Sequence, residues 1–317
     1  MFYEISFFGV LQRLLYKILF ELLYPIYLLK FGNEKKYIEE RLRKADLFAR
    51  SFACSANLKI TAREVYKNLF LNGIDSWRFL KGKIVPFEFE NLELAKAEIE
   101  KGKPLVFVSI HLGAFEMLHR SLEFLIKEIS KNSIDSQFSK TGVFRENAKP
   151  QINLITASLK HLDKYMVNLR ATNNVVISEE LPQTLSHKTR SSSEPTIKVV
   201  KDIEIPQTLK KIIRNNEIMA VMADQSKFGG ENFQLLGQKI PLFLKLPLTA
   251  NKLGATVILF RTFKKNDKHI IKFEQVFEPH AMKNNEQNIK NKIAEIFESW
   301  ILENPEQWTW NYGFKSR

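Results

Sequence analysis

The chain has 317 residues and a formal net charge of +13, with 44% hydrophobic and 26% charged residues. This balance excludes a globally disordered chain, and the charge predicts an anionic partner: an acidic membrane surface, an acidic protein or nucleic acid. The single cysteine excludes an intrachain disulfide framework and any cysteine-based zinc cluster.

Residues 5–31 form the most apolar segment of the chain. Arg13, Lys17 and Glu21 recur in it at intervals of four and mark one polar stripe, which disfavours a clean membrane span. The pattern favours an amphipathic helix that lies in the membrane interface, and a buried core helix is the alternative. Pro25 is expected to end or kink this helix. We therefore predict a membrane-associating segment at residues 1–33 and the main domain at 34–317.

The next part of the chain alternates between helical and strand patterns. Residues 34–80 are predicted to be helical, with a capping box at Thr61 and Glu64, and a helix at 92–101 is predicted to end at Gly102. Apolar runs of strand length occur at 105–110, 143–144, 175–178, 218–223 and 256–260. This alternation predicts an α/β fold, with a mixed, largely parallel sheet flanked by helices.

Residues 179–203 interrupt the alternation with prolines, serines and charged residues, and they are predicted to form a mobile insertion. The last predicted helix spans residues 287–302 and is stopped by Pro305. Trp308 and Trp310 follow it, and they are more typical of packing anchors than of catalytic groups.

The run at 105–110 ends at His111, and a turn at Gly113 leads into a helical pattern in which Glu116 occupies the first turn. A histidine and a carboxylate are thus expected at the carboxyl end of a buried strand, where α/β sheets place their ligands. This placement suits a general base with an acidic partner. Backbone N–H groups near Gly113, or Arg145, are candidate donors to an oxyanion. The alternative is a structural histidine followed by an acid that favours a helix N-terminus.

Asp224 and Gln225 close the apolar run at 218–223, although an aspartate at a strand end is commonly only a turn former. The chain has no nucleophile elbow, no Walker loop and no dinucleotide fingerprint. Its six histidines show no metal-ligand spacing. Neither a metal nor a cofactor is predicted.

Together these residues resemble the bacterial lipid A biosynthesis acyltransferases, the lauroyl/myristoyl branch of the lysophospholipid acyltransferase superfamily. The superfamily motif His-x-x-x-x-Asp/Glu matches His111 to Glu116, and the Asp-Gln pair of the branch matches Asp224 and Gln225. A Pro-Glu-Gln-Trp-x-Trp motif matches residues 305–310 without a gap. The chain departs from the branch in having Tyr-Gly at 312–313 instead of a basic pair.

The resemblance implies transfer of a fatty acyl group from acyl carrier protein to a hydroxyl of a Kdo-bearing lipid A precursor, at the cytoplasmic face of the bacterial inner membrane. It implies that His111 is the general base, that Glu116 is its partner and that no cofactor takes part. The residues implied to contact substrate are Arg145, Arg170, Asp224, Gln225 and Gly237. For Arg145 a surface ion pair is the alternative, and for Gly237 a turn.

Two other functions remain open at this stage. Within the enzyme class, the acceptor could be another glycolipid or a lysophospholipid. Outside it, the chain could be a basic, non-enzymatic protein that binds membranes or nucleic acid. Because the lysines and arginines are scattered through amphipathic helices, nucleic acid is not expected as a partner. The expected partners are acyl carrier protein, a lipid A precursor and an anionic membrane surface.

Overall fold

The structure is a computed structural model, and it describes residues 7–51, 58–83, 85–118, 120–122, 124–126, 129, 151–155, 175–177, 196–200, 205–224 and 230–311. The strand expected at 143–144 lies outside these residues.

An eight-stranded sheet forms the centre of the protein, and a separate two-stranded hairpin accompanies it. The order in the large sheet is β1-β10-β9-β2-β6-β3-β5-β4, and every neighbouring pair is parallel except β9 and β10. The strands are β1 (Phe87–Glu90), β2 (Leu105–Ser109), β3 (Gln151–Ile155), β4 (Val175–Ile177), β5 (Thr196–Val200), β6 (Ile218–Met222), β7 (Glu231–Leu235), β8 (Gln238–Leu242), β9 (Thr256–Lys265) and β10 (Lys268–Phe277). The predicted fold class, a mixed and largely parallel sheet flanked by helices, is confirmed.

Helices cover both faces of this sheet. They are α1 (Phe7–Ser51), α2 (Ala62–Leu80), α3 (Leu92–Glu100), α4 (Ile205–Asn215), α5 (Lys245–Lys252) and α6 (Glu286–Glu303), with short 3-10 helices at Phe115–Met117 and Pro305–Gln307. The described residues between 118 and 129 are also helical. The apolar stripe that the periodicity predicts is buried at Leu118, Leu122, Leu125, Ile126 and Ile129, whereas Phe124 is exposed.

The start of α2 and the end of α3 agree with the sequence signals. The Thr61 hydroxyl accepts from the Glu64 N–H at 3.2 Å, and the Glu64 carboxylate accepts from the Thr61 N–H at 2.8 Å, which is the predicted capping box. After α3, Gly102 has a φ of +59°, a left-handed conformation that favours glycine. The capping box therefore marks the start of α2, and Gly102 marks the end of α3, as predicted.

The first helix is longer than predicted, since α1 continues through Pro25 and through residue 33. Phe31 is non-helical, with φ −118° and ψ 26°, and it marks a kink that divides α1 into two helical segments. Since the kink lies at Phe31 and the helix continues through Pro25, the prediction that Pro25 ends or kinks the helix is wrong. Rings on both sides of Pro25 pack on α2: the Tyr24 and Tyr27 rings lie 6.0 and 5.0 Å from the ring of Tyr66. Aromatic packing on α2 therefore continues across the proline.

The polar stripe of α1 faces the protein for the most part. Arg13 pairs with the Asp267 carboxylate at 3.0 Å, and Glu21 pairs with Arg63 and Lys67 of α2. The exposed side carries leucines and isoleucines instead: Leu11, Leu14, Leu15, Ile18, Leu19, Leu22, Leu23, Ile26 and Leu29. Among the residues that the structure describes, no helix combines the length and apolarity needed to cross a membrane.

Part of the predicted insertion belongs to the sheet. Residues 196–200 form β5, which pairs in parallel with β3 and β4, so the prediction of an insertion across 179–203 is wrong for these five positions. Thr196 and Lys198 interrupt the apolar pattern of this strand, which concealed it in the sequence. Residues 178–195 lie outside the described ranges.

Strand β2 is central and buried along its whole length. Val106 and Val108 point into a core under α1, α2, α5 and α6. Leu105 and Phe107 point into a second core under α3 and the described helical residues between 118 and 129. Alternate side chains on a strand face opposite sides of the sheet, so a continuous apolar run is required at this position. The strand is thereby fixed from both faces, and His111 follows it directly.

Candidate active site

Two neighbouring strands bring His111 and Asp224 together. Strands β2 and β6 are adjacent and parallel, and Ser109 is in register with Met222 at their carboxyl ends. The Ala223 N–H donates to the Ser109 carbonyl at 2.7 Å, so the pairing extends beyond the last strand residues. His111 and Asp224 then occupy equivalent positions just past these two strands. The edge where α/β sheets place ligands therefore carries a histidine and an aspartate side by side.

The Asp224 carboxylate is bound to His111 through both ring and backbone. Nδ1 of His111 lies 2.6 Å from Oδ1 of Asp224, and the His111 N–H donates to both carboxylate oxygens at 3.0 and 3.1 Å. A third donor, Nε1 of Trp308, reaches Oδ2 at 3.1 Å. An ionised carboxylate only accepts, so Nδ1 carries the proton and Nε2 carries the lone pair of the neutral imidazole.

Asp224 stays ionised although it is buried. Burial alone would raise the pKa of this carboxyl group, but the charge and hydrogen bonds of His111 and the hydrogen bond from Trp308 hold its pKa below the ordinary value. An ionised, buried carboxylate at Nδ1 fixes the tautomer of the imidazole and stabilises the imidazolium that forms when Nε2 takes a proton.

The C-terminal segment after α6 holds the backbone around His111 through hydrogen bonds. The Thr309 N–H donates to the His111 carbonyl at 3.2 Å, and Leu112 forms an isolated bridge with Trp308. The Gly113 N–H donates to the Gln307 carbonyl at 2.9 Å. The Gly113 N–H is therefore already engaged, and the prediction that other backbone N–H groups near Gly113 donate to an oxyanion stays a prediction.

Gly113 has two reasons to be glycine. Its φ is +59°, and a Cβ at this position would lie 2.6 Å from the Thr262 carbonyl oxygen of β9. Any side chain would push the turn away from β9. The close approach holds the backbone after His111 against β9. The position of the His111 backbone at the end of β2 is thereby fixed.

Glu116 lies in the 3-10 helix Phe115–Met117, and its side chain is half-buried. The ring of Phe115 contacts the imidazole of His111 edge-on, with 4.4 Å between centroids. The described partner of His111 Nδ1 is Asp224, which we expected from the sequence to contact substrate. The pairing of Glu116 with His111 stays a prediction.

The remaining expected residues divide into two groups. Gly237 is placed in the β7–β8 turn with a φ of +66°, and a Cβ there would lie 3.1 Å from Phe48 of α1, which accounts for glycine by turn geometry. Its contact with substrate stays a prediction. The others lie outside the described residues: Arg145, Arg170 and Gln225.

A metal centre has no support in the described residues, which contain no group of three or more His, Cys, Asp and Glu side chains that could hold an ion.

The sequence gives no direct signal for the role of Trp308, which we placed among the packing residues. It is buried, as a packing anchor would be, but its indole N–H is also a ligand of the Asp224 carboxylate. A buried Trp requires an acceptor for this N–H, and that requirement is the only hint that the sequence offers.

Comparison with known families identifies the family of the chain. The family described as bacterial lipid A biosynthesis acyltransferase matches residues 81–312, which include His111, Asp224 and Trp308. Comparison with curated proteins gives no match. Since the match covers more than half of the chain, this protein belongs to the bacterial lipid A biosynthesis acyltransferase family.

Proposed function

We propose that the protein transfers a fatty acyl group from the thioester of acyl carrier protein to a hydroxyl of a Kdo-bearing lipid A precursor, in lipopolysaccharide biosynthesis. The family supports an acyltransferase with a lipid A-type acceptor. The observation that carries the chemistry is the 2.6 Å contact between His111 Nδ1 and Asp224, which leaves Nε2 as the basic nitrogen of an oriented imidazole.

In the proposed reaction, Nε2 of His111 takes the proton of the acceptor hydroxyl as its oxygen attacks the thioester carbonyl. A C–O bond forms, and the carbonyl becomes a tetrahedral oxyanion. Its collapse breaks the C–S bond, and the departing thiolate of the carrier takes the proton from the imidazolium. The products are the lipid ester and the free carrier thiol, and His111 returns to its neutral form.

The two carboxylates have different tasks in this proposal. Asp224 orients the ring and balances the imidazolium, and we assign it this positioning role in place of a substrate contact. Glu116, five residues after His111 and half-buried, adds negative charge on the same rim. It is proposed to offset the positive charge that develops in the transition state.

Positive charge suits both proposed substrates. A lipid A precursor carries phosphates and carboxylates, acyl carrier protein is acidic, and the net charge of +13 favours approach of both. Arg145 and Arg170 remain the proposed contacts of these anionic groups, because a guanidinium can bind a phosphate or carboxylate through two hydrogen bonds. Gln225 and Gly237 remain proposed contacts of the substrate.

The exposed side of α1 supports a membrane location, proposed as the cytoplasmic face of the bacterial inner membrane. Leu22 is 66% exposed and Leu29 is 90% exposed, within a row of nine exposed aliphatic residues between 11 and 29. Apolar rows of this size mark interaction surfaces, and the acceptor is a lipid. The proposed membrane-associating segment is the N-terminal part of α1, with its apolar side in the lipid.

The direct test is transfer by the purified full-length protein. Acyl-loaded acyl carrier protein is mixed with a Kdo-bearing lipid A precursor in detergent, and mass spectrometry measures the lipid product. We expect one ester-linked acyl chain to be added by the native protein and none by His111→Ala. Acylation of a lysophospholipid or another glycolipid alone would replace the proposed acceptor. Salt-sensitive duplex binding without any acyl transfer would support the non-enzymatic alternative.

A further inference from the structure

Arg41 of α1 is a buried arginine that reaches the candidate site from outside the family match, which begins at residue 81. Its exposed fraction is 8%, and its Nη1 donates to the Trp310 carbonyl at 3.0 Å. The guanidinium carbon Cζ lies 5.3 Å from the centre of the Trp308 ring and 5.5 Å from that of Tyr37. Arg41 therefore stacks on the same indole that donates its N–H to Asp224.

These contacts form a chain of groups that ends at the general base. The order is Arg41, the Trp308 ring, the Asp224 carboxylate and the His111 imidazole, with Trp308 Nε1 at 3.1 Å and His111 Nδ1 at 2.6 Å from the carboxylate. Burial lowers the pKa of Arg41, and the charge of Asp224, together with Tyr37, opposes that shift by favouring the charged guanidinium. The attraction is reciprocal, so the guanidinium favours the ionised form of Asp224.

We propose that Arg41 is a positioning residue for the reaction, which holds the Trp308 indole against the Asp224 carboxylate and thereby keeps the His111 imidazole oriented. The inference rests on the proposed function for its kinetic test. It extends the site beyond the family-matched residues. The segment of α1 that follows the kink at Phe31 supplies this support, 12 residues after Leu29, the last residue of the exposed apolar row.

The guanidinium suits this task better than any other side chain of similar size. It is planar, so it can stack on the indole face while its edge donates to the Trp310 carbonyl. It also carries a fixed positive charge. A lysine keeps the charge but loses the stacking, and a methionine keeps the bulk but loses the charge. The two variants therefore separate the two contributions.

The first test is kinetic. Arg41→Met is expected to lower kcat about tenfold with KM for both substrates within about twofold of the native value. The acid limb of the pH–rate profile should move to higher pH, because the charge that favours ionised Asp224 is lost. In the described residues, the titratable and charged groups around Asp224 are His111 and Arg41, with Tyr37 behind Arg41. Arg41→Lys should leave the acid limb near its native position with a partial loss of kcat.

A double-mutant cycle tests whether Arg41 acts through Trp308. In the Trp308→Phe background, Arg41→Met should have less effect on kcat than in the native background, since the indole N–H that Arg41 supports is gone. Additive losses would reduce Arg41 to a structural residue and overturn the proposal. A rise in KM for the lipid with unchanged kcat would also overturn it, since Arg41 would then bind the acceptor.

A control and an activity-independent readout complete the design. Arg120→Met serves as the control, because Arg120 also stacks on a ring, that of Phe79, but its described contacts do not include Asp224. NMR of the substrate-free protein follows the indole N–H of Trp308, assigned with Trp308→Phe. We expect Arg41→Met, but not Arg120→Met, to shift this resonance. In a pH titration, Arg41→Met should also raise the pH at which the chemical shift of the Trp308 N–H changes. An unchanged Trp308 resonance in Arg41→Met would overturn the inference, whatever the transfer assay shows. If the resonance shifts but the native protein transfers no acyl group, the inference stands and only the proposed function fails.

Discussion

His111 and Asp224 are 113 positions apart in the chain, yet His111 Nδ1 lies 2.6 Å from Asp224 Oδ1. The adjacency of β2 and β6 produces this contact, because parallel neighbours end at the same edge of the sheet. The carboxylate also accepts from the His111 backbone and from Trp308, so its position does not depend on the imidazole alone. The pair is thus preorganised before any substrate arrives.

Glu116 is expected to matter less than Asp224, because Asp224 already holds Nδ1. We predict that Glu116→Gln lowers kcat by about tenfold to a hundredfold, at the lower end of what a group assisting proton transfer contributes. Glu93→Gln is the matched control, since Glu93 lies in the first turn of α3, away from the site. Equal small losses in both variants, or a loss larger than that of Asp224→Asn, would contradict this division of roles.

The sequence predicts both members of the pair separately but not their contact. His111 and Asp224 each follow an apolar run of strand length, and this pattern identifies strand ends. Strand order is different: β3, β4, β5, α4 and the described helical residues between 118 and 129 separate β2 from β6 in the chain, and no local pattern encodes their adjacency in the sheet. The role of Trp308 was missed for the same reason, since packing and hydrogen bonding are indistinguishable in sequence.

Gly113→Ala is expected to destabilise the fold. A left-handed φ disfavours alanine, and its Cβ would lie 2.6 Å from the Thr262 carbonyl oxygen, so the two costs together are about 2 to 4 kcal/mol. Urea unfolding measures this loss. Gly73→Ala in α2 is the control, because no heavy atom lies within 4 Å of its Cβ position and alanine favours helix, so it should be neutral or stabilising. Equal stability of the two variants would contradict the geometry at Gly113.

A buried cluster of Asp75, Lys264 and His269, between α2 and strands β9 and β10, predicts that the fold loses stability in acid. Asp75 accepts from His269 Nε2 at 3.0 Å and pairs with Lys264 at 2.7 Å. Burial opposes ionisation of Asp75, but the hydrogen bond from His269 and the charge of Lys264 outweigh it and lower the pKa of this carboxyl. Burial lowers the pKa of His269, whose Nδ1 has no hydrogen-bond partner among the described residues.

The lowered pKa values of Asp75 and His269 determine how the free energy of unfolding changes with pH. A group whose pKa is lower in the folded state than in the unfolded state stabilises above its unfolded pKa and loses that contribution as pH falls. For His269 the loss begins near pH 6.5, with a slope of up to about 1.4 kcal/mol per pH unit, and Asp75 adds to it below about pH 4. Urea unfolding between pH 8 and pH 5 should show a smaller pH dependence for His269→Gln than for the native protein. Parallel curves would contradict the assignment.

The outward side of α1 is expected to bind lipid. The double variant Leu22→Asp and Ile26→Asp places two charges in the exposed apolar row without touching the residues that pack on α2. Co-sedimentation with vesicles that contain anionic lipid should fall at least tenfold, since each charge opposes burial of the row in lipid. Leu253→Asp is the control, because Leu253 is also an exposed leucine but lies outside α1. Undiminished sedimentation of the double variant would assign membrane binding to another surface.

The most direct test of the account compares Asp224→Asn and His111→Ala in the acyl-transfer assay, with circular dichroism and thermal unfolding to verify the fold. Asparagine at 224 removes the charge that fixes the Nδ1–H tautomer, so we predict a loss in kcat of about 10³-fold or more, close to that of His111→Ala, with KM nearly unchanged. Transfer by folded Asp224→Asn within a few-fold of the native rate would contradict the claim that the His111–Asp224 pair performs the proton transfer.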